Sequence, residues 1–473
     1  METAWIPLGY LVAASLFILG LRDLGKVRTA RRGNTLAAVG MFLAIVVTLI
    51  DAAAVDYRYI LAGLLIGSAV GAVVAVRVPM TSMPEMVGLL NGFGGAASAL
   101  VAVSILFQEF QKHPSSNSES LASLFGGYQT AVTGELTLIV GAATFSGSYI
   151  AYLKLRGTAI ERAMRLPGGN YLTLVSLIAS LALAGVLTVV PFTDATTTTL
   201  FFVLMGISFL LGVAMVMPIG GADMPVVIAF LNSLSGIAGA MAGFVLSNYL
   251  LIIAGSLVGA SGLILTEIMC KAMNRSTISV FFGRFGGEVS AAAQAGYTNV
   301  KEAGPDEVAM LLEDATGVVF VPGYGLAVAR AQHITRELAD FLQARGTRVQ
   351  YAIHPVAGRM PGHMNVLLAE ADVPYDQLIE MQDINPEFKS FDVAIVLGAN
   401  DVVNPAALND KSSPIYGMPI LNVHEARTVV VVKRSLSPGF AGIRNALFDN
   451  NNTVMCFGDA KQVIADVLKE LKA

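Results

Sequence analysis

The sequence predicts two fold classes in one chain: a membrane all-α bundle of nine transmembrane helices, then a soluble α/β domain built on a doubly wound parallel sheet. Three observations carry this. Hydrophobic residues make up 55% of the 473 residues, charged residues 14%, and mean hydropathy is +0.66, where an ordinary globular protein is about 25% charged. The charges are segregated: residues 1–275 hold 14 Lys/Arg and 12 Asp/Glu, whereas residues 276–473 hold 16 and 22. The hydrophobic pattern also changes, from long apolar runs to short ones alternating with amphipathic stretches, the mark of βαβ units. The expected layout is a membrane domain over 1–275, a linker over 276–305 and a soluble domain over 306–473.

This composition excludes several classes. A disordered chain needs low hydrophobicity, and a nucleic-acid binder needs a basic footprint that is missing here. Cys270 and Cys456 lie too far apart in the chain for a disulfide framework or a zinc site. Glu2 stands where a cleavable signal would carry positive charge, so the first apolar run reads as a retained helix.

A bilayer core requires ~20 apolar residues per helix. Runs of that size fall near 5–21, 35–52, 58–78, 84–107, 131–153, 170–192, 197–217, 224–245 and 249–270, the last two joined by a Ser247-Asn248 turn. Positive charge in the loops sets orientation. Arg22, Lys26, Arg28, Arg31 and Arg32 follow the first span, Arg77 the third, and Lys154, Arg156, Arg162 and Arg165 the fifth; the alternate loops carry only Arg58 and Lys112. The odd-numbered loops are therefore expected in the cytoplasm. An odd number of spans then puts the N-terminus outside and the C-terminal domain inside. Runs such as Gly92-Phe93-Gly94-Gly95-Ala96-Ala97 and Gly236-Ile237-Ala238-Gly239-Ala240 supply small residues for close helix packing. Residues 113–127 read as a polar external loop, and 284–305 lack a periodic apolar face.

In the soluble half, strands are expected at 317–321, 348–353, 391–397, 428–432 and 453–457, with helices near 306–314, 325–344, 361–370 and 459–471. The first strand runs into Gly323-Tyr324-Gly325-Leu326-Ala327-Val328, a G-x-G-x-x-V turn with Val where glycine or alanine is usual. Such a turn lets a Rossmann-like domain bring pyrophosphate to backbone N–H groups at a helix start; a tight turn without a ligand is the alternative. The second strand ends in His354-Pro355-Val356-Ala357-Gly358-Arg359, with no carboxylate for a ribose 2′-hydroxyl. A later strand ends in Lys433, Arg434 and Ser435, which suit a dianionic 2′-phosphate. This favours NADP over NAD, a solvated strand end being the alternative. Gly398-Ala399-Asn400-Asp401 follows another strand at the ligand-binding edge, and Gly439-Phe440-Ala441-Gly442 has the composition of a lid, or of turns. With one dinucleotide turn and no triad, metal cluster or Cys nucleophile, hydride exchange would need a second polypeptide.

Together the segments 220–227, 268–276, 323–325, 354–359, 361–370 (Pro-Gly-His-Met-Asn-Val-Leu-Leu-Ala-Glu) and 398–401 closely resemble the β subunit of the proton-translocating NAD(P) transhydrogenase, over essentially the whole chain. The resemblance implies a bacterial inner-membrane protein that binds NADP(H), with NAD(H) on partner α subunits that bring further membrane helices. It also implies a dimer of αβ units, and hydride passing directly between cofactors with no catalytic acid or base. Residues 323–328 would hold pyrophosphate, Lys433, Arg434 and Ser435 the 2′-phosphate, and the loops at Asp401 and Gly439, Phe440 and Ala441 the nicotinamide side. Protonation in the membrane would alter nucleotide affinity through a conformational change.

Ionisable groups in spans default to functional hypotheses. Asp223 is a coupling candidate by resemblance, and Asn232 and Ser261 match the family's pattern, helix–helix hydrogen bonding being the alternative. Glu85, Glu135 and Glu267 lie toward span ends, where interface solvation would account for them; Glu135 is also a channel candidate. Many family members carry a histidine in the fourth span, where this chain has Asn91. Asn91 cannot titrate, so the titrating group is expected from a partner helix, with Asn91 lining the same channel. The competing class is a channel or transporter whose soluble domain senses nucleotide; no TVGYG-like filter or evident inverted repeat supports it.

Overall fold

The computed structural model describes residues 5–25, 29–51, 57–112, 120–157, 169–220, 223–282, 296–413, 415–439 and 441–473. The chain forms two compact units. One comprises Met1–Tyr152, Arg165–Pro218 and Phe230–Leu263; the other comprises Leu153–Met164, Ile219–Ala229 and Ile264–Ala473.

Among the described residues, nine helices are long and apolar enough to cross a bilayer: α1 (Trp5–Leu24), α2 (Ala30–Asp51), α3 (Tyr57–Arg77), α4 (Met83–Lys112), α5 (Tyr128–Leu155), α6 (Gly169–Val189), α7 (Asp194–Val216), α8 (Met224–Val245) and α9 (Tyr249–Ala272). The glycine-rich runs mark where they cross. A Cβ on Gly141 of α5 would lie 2.6 Å from the carbonyl oxygen of Gly95 on α4. A Cβ on Gly255 of α9 would lie 2.4 Å from the backbone nitrogen of Ala240 on α8. Main chains approach this closely only where side chains are absent, which gives helices van der Waals contact that lipid cannot match. The α8–α9 reversal uses Ser247 in the left-handed region (φ 53°), with the Asn248 side chain accepting from the Leu251 N–H at 3.1 Å.

The soluble half is a six-stranded, all-parallel sheet in the order β3-β2-β1-β4-β5-β6. Its strands are β1 (Gly317–Pro322), β2 (Arg348–Ile353), β3 (Leu378–Glu380), β4 (Val393–Leu397), β5 (Thr428–Lys433) and β6 (Thr453–Phe457). β1 and β4 are buried throughout, as parallel strands covered on both faces must be. Alternate residues Val319, Val321, Ala394, Val396, Val429 and Val431 face one cluster with Ile384, Phe388, Phe391, Leu421, Leu447 and Phe448. Around the sheet, α10 (Pro305–Glu313), α11 (Tyr324–Ala329) and α12 (Gln332–Ala344) pack against α14 (Ala460–Lys472), while α13 (His363–Glu370) packs on α12.

Three features differ from expectation. β3 is a three-residue edge strand, Leu-Ile-Glu, too short to show a period. The strand expected from 391 begins at Val393, because Phe391 closes a preceding 3-10 turn and Asp392 caps the strand starts. The helix expected over 325–344 is two helices. Arg330 turns left-handed (φ 50°), the Ala331 N–H reaches the Leu326 carbonyl at 3.1 Å and the Arg330 N–H the Ala327 carbonyl at 3.2 Å, a Schellman closure without its usual glycine. Residues 301–303 lie along β6: the Met455 N–H donates to the Lys301 carbonyl at 2.7 Å, and the Met455 carbonyl accepts from the Ala303 N–H at 2.9 Å.

Asp392 ties β1 to β4 at their starts. One carboxylate oxygen accepts from the Thr316 hydroxyl (2.7 Å), the Thr316 N–H (2.9 Å) and the Gly317 N–H (3.2 Å). The Thr316 hydroxyl bond, above all, holds the Asp392 carboxyl below the usual carboxylate value. With its folded value depressed, the stability it contributes is present above the unfolded value of ~3.9 and is lost as pH falls through the folded one. Asp392→Ala should lower the stability of the soluble half by about 1 kcal/mol at neutral pH, read as earlier proteolysis in urea. The difference from the natural chain should narrow below pH ~3.9; a difference that persists there would contradict the assignment.

Candidate functional site

The doubly wound strand order reverses between β1 and β4, so the carboxyl-edge crevice where such sheets bind ligands lies between the loops that follow them. These loops pack main chain on main chain. The Gly323 N–H donates to the Leu397 carbonyl at 2.9 Å and the Gly325 N–H to the Gly398 carbonyl at 3.0 Å. A Cβ on Gly323 would lie 2.4 Å from the Ala399 nitrogen, and one on Gly325 2.6 Å from Gly398 Cα. Gly398 itself is left-handed (φ +64°). The close approach that Gly325 permits here is thus of the chain to itself, where the sequence suggested approach of a pyrophosphate. Val328, in the position usually held by glycine or alanine, is 46% exposed; it points out of the helix–sheet seam, so a larger side chain fits. Leu326 and Ala327 are buried in that seam.

On the other side of β1, the loop after β2 places two histidines and an arginine. His354 is buried, its Nε2–H donating to the Pro419 carbonyl at 2.9 Å and its Nδ1 accepting from the Val356 N–H at 3.2 Å. Burial holds its pKa down to about 4, so the ring is neutral and structural. Ala357 is buried and Gly358 takes φ +108°. The Arg359 guanidinium lies 4.4 Å over the Tyr324 ring and donates to the carbonyl of Leu155, the last residue of α5.

Beyond β4, Asp401 accepts the Ala441 N–H at 3.0 Å, and its carboxylate sits where a Cβ on Gly439 would stand, 2.6 Å away. Lys433 ends β5, half-buried, with Nζ donating to the Ser437 carbonyl and lying 5.4 Å from the Phe448 ring centre. Burial lowers the Lys433 pKa while the Asp401 charge opposes that shift. Ser435 and Ser437 share a hydroxyl hydrogen bond of 2.8 Å, and Arg434 is exposed. Phe440 lies outside the described residues.

The structure adds residues that the sequence did not single out. The Asn445 side-chain amide donates to the Asn400 side chain at 2.9 Å and to its carbonyl at 3.1 Å, and the Asn445 backbone N–H donates to the Tyr297 hydroxyl oxygen at 3.2 Å. Asn404 donates to the Arg444 carbonyl at 3.0 Å. These amides stitch the β4 loop to residues 444–446. Their only sequence signal is asparagine near a strand end, which turn chemistry produces equally well.

The membrane candidates do not converge. Glu135 is 2% exposed and accepts the Thr188 hydroxyl bond at 2.7 Å. Its position two turns inside α5, against α6, corrects the expectation of interface solvation. Glu267 is exposed and paired with Lys271 at 2.7 Å. Asn91 is buried on α4. Gly92 faces Ser148, so Asn91 is level with residues about 13 positions along α5 from Glu135, or about 20 Å at 1.5 Å per residue. Asn232 is half-buried, and the exposed Ser261 bonds its own helix at the Val258 carbonyl (3.1 Å). The α8–α9 hydrogen bond is made instead by Ser233, to the Gly259 carbonyl at 2.7 Å. Asp223, fully buried at the start of α8, accepts from Arg275 Nη1 at both carboxylate oxygens, at 2.8 and 3.1 Å.

Nine membrane-length helices among the described residues, followed in the chain by a Rossmann-like sheet with a glycine-built switch point, define a multi-pass membrane protein of the dinucleotide-fold class. The family described as NAD(P) transhydrogenase beta subunit matches residues 6–470. The NAD(P) transhydrogenase subunit beta of Rhodospirillum rubrum is 48% identical over 465 residues, covering 98% of each chain, and the same subunit from a designated strain of that species matches equally. The chain belongs to the NAD(P) transhydrogenase beta subunit family.

Gly398→Ala would place a methyl group 2.3 Å from Gly325 Cα at a positive φ. It should cost at least about 2 kcal/mol, seen as a lower urea midpoint for proteolysis of the soluble half. An unchanged midpoint would show that the two loops do not need this contact.

Proposed function

We propose that this chain is the NADP(H)-binding, proton-conducting subunit of a transhydrogenase. In this reading hydride passes between NADP(H) on this chain and NAD(H) on a partner α subunit, coupled to proton translocation by conformational change. The carrying observation is family membership over nearly the whole chain, joined to a switch-point edge whose charged groups suit a 2′-phosphate. The domains divide as 1–275, 276–305 and 306–473, with the soluble domain cytoplasmic, a reading supported by the ten basic residues in the odd-numbered loops against two in the others. In a bacterium the membrane is the inner one, and the assembly is a dimer of αβ units.

The residues fit NADP(H). No carboxylate stands at the end of β2 to meet a ribose 2′-hydroxyl, and His354 there is neutral and already paired. Lys433, Arg434 and Ser435 at the end of β5 present two cations and a hydroxyl to a 2′-phosphate. Gly323, Tyr324 and Gly325 form the turn that brings the start of α11 toward the pyrophosphate, the Gly323 and Gly325 N–H groups being held by the Leu397 and Gly398 carbonyls, with Leu326, Ala327 and Val328 shaping that helix. Ala357, Gly358 and Arg359 wall the site on the β2 side. Gly398, Asn400 and Asp401 face the nicotinamide side, and Gly439, Phe440 and Ala441 close over it, Asp401 holding that loop through the Ala441 N–H. NADP(H) itself supplies or accepts the hydride, so the protein aligns and excludes water.

In the membrane half, Glu135 and Asn91 are two levels of one proton route, with the titrating group beside Asn91 contributed by a partner helix. Asn232 and Ser261 line the route, and the Asp223–Arg275 pair links it to the soluble domain. Coupling requires that the protonated and deprotonated states differ in affinity for NADPH and NADP⁺.

Equilibrium binding to the full chain in lipid nanodiscs should favour NADPH over NADH at least ~100-fold, and Lys433→Ala/Arg434→Ala should weaken NADPH at least ~10-fold, about 1.4 kcal/mol. Equal affinity for the two nucleotides would overturn the cofactor assignment. Glu135→Gln keeps an acceptor for Thr188 but cannot titrate. In vesicles with the partner subunit it should retain NADPH binding and lose most proton-linked turnover; unchanged proton transport would remove Glu135 from the route.

A further inference from the structure

His363, the first residue of α13, is only 1% exposed, and its Nδ1 accepts the backbone N–H of Arg359 at 3.0 Å. That bond sets the tautomer, with the lone pair on Nδ1 and the proton on Nε2. Burial, and then the Arg359 charge, hold the His363 pKa down to about 4, so the acceptor lone pair is present at neutral pH. The Nε2 group is buried with no hydrogen-bond partner, an unfavourable arrangement that a phenyl ring of similar size would avoid. The imidazole is therefore explained by its acceptor and not by its volume. His354, a few residues earlier, differs in having both ring nitrogens bonded.

The loop is wrapped around this ring. Gly358 takes φ +108°, and a Cβ there would lie 2.4 Å from His363 Nδ1 and 2.6 Å from His363 Cβ. Only a residue without a side chain lets the backbone pass so close and present the next N–H to the imidazole. The next residue is Arg359, whose guanidinium stacks over Tyr324, the second residue of the β1 glycine turn, at 4.4 Å. A chain of contacts thus runs from a buried neutral imidazole, through one backbone N–H, to the wall of the nucleotide site.

We propose that His363 is a positioning residue for nucleotide binding: its Nδ1 holds the Arg359 backbone so that the guanidinium lies on Tyr324, joining the β2 and β1 loops into one wall. The proposal rests on the NADP(H) reading of this site. It is tested by NADPH binding to the full chain in nanodiscs, comparing Arg359→Ala, His363→Phe, the double variant and His363→Asn, whose side-chain oxygen can take the place of Nδ1.

Arg359→Ala and His363→Phe should each weaken NADPH ~5- to 10-fold, and the double variant should bind no more weakly than Arg359→Ala alone, because both changes remove one unit. His363→Asn should bind within ~3-fold of the natural chain. Should His363→Phe not fold, His363→Met, flexible enough to fill the same space, carries the same comparison. Multiplicative losses in the double variant, or His363→Asn as weak as His363→Phe, would overturn the proposal by showing an independent packing role. So would natural affinity in His363→Phe. Loss of NADPH preference in the natural chain, or no effect of Lys433→Ala/Arg434→Ala, would instead bring down the site reading itself.

Discussion

The soluble half depends on how closely two stretches of main chain approach at the sheet's switch point. The loop after β1 and the loop after β4 touch through Gly323, Gly325, Gly398 and Ala399, with N–H to carbonyl bonds of 2.9 and 3.0 Å continuing the ladder past the strand ends. This contact sets the direction in which α11 leaves the sheet, and so where its N-terminal N–H groups face. It also sets where Asn400 and Asp401 emerge, and through Asp401 the position of the loop at Gly439 and Ala441. A side chain at any of the three glycines would separate the loops and disperse the site.

The membrane half obeys the same constraint for a different reason. In water, close main-chain approach is driven by burial of the surrounding sheet; in lipid, apolar side chains gain little by leaving the bilayer. Helix contact then depends on absent side chains, as at Gly95 against Gly141 and Ala240 against Gly255. Polar groups inside such a bundle are few and specific: Glu135 with Thr188, Ser233 with a backbone carbonyl. In the second unit, Asp223 is fully buried against the Arg275 guanidinium. Leaving either member of that pair unpaired would be costly.

Around the candidate nucleotide site, charge is placed by burial as much as by residue type. His354 and His363 are nine residues apart in sequence and similarly buried, yet one is fully bonded and the other keeps an unpaired Nε2. Lys433 is held between Asp401, the Phe448 face and the Ser437 carbonyl, whereas Arg434, its neighbour, is exposed. The two cations are therefore not equivalent: one is positioned before any ligand arrives, the other is a solvated fork.

The amino-acid sequence determined by itself everything carried by long periodic signals. Nine apolar runs of bilayer length can only be spans, and short β-branched runs alternating with amphipathic stretches can only bury themselves as a parallel sheet. It also singled out the glycine turn at 323–325 and the cations at 433–434 as candidates, with a ligand-free turn and a solvated strand end as their alternatives. What only the tertiary structure decided depends on neighbours distant in the chain. The three residues of β3 are a strand because β2 pairs with them, and the helix breaks at Arg330 where that residue turns left-handed and the Ala331 N–H closes on Leu326. Asn445 matters because it meets Asn400, Glu135 is buried because Thr188 comes from the next span, and His363 because Gly358 folds around its ring. Each is a close-range contact with another part of the chain, and local periodicity carries no record of which residue will stand there.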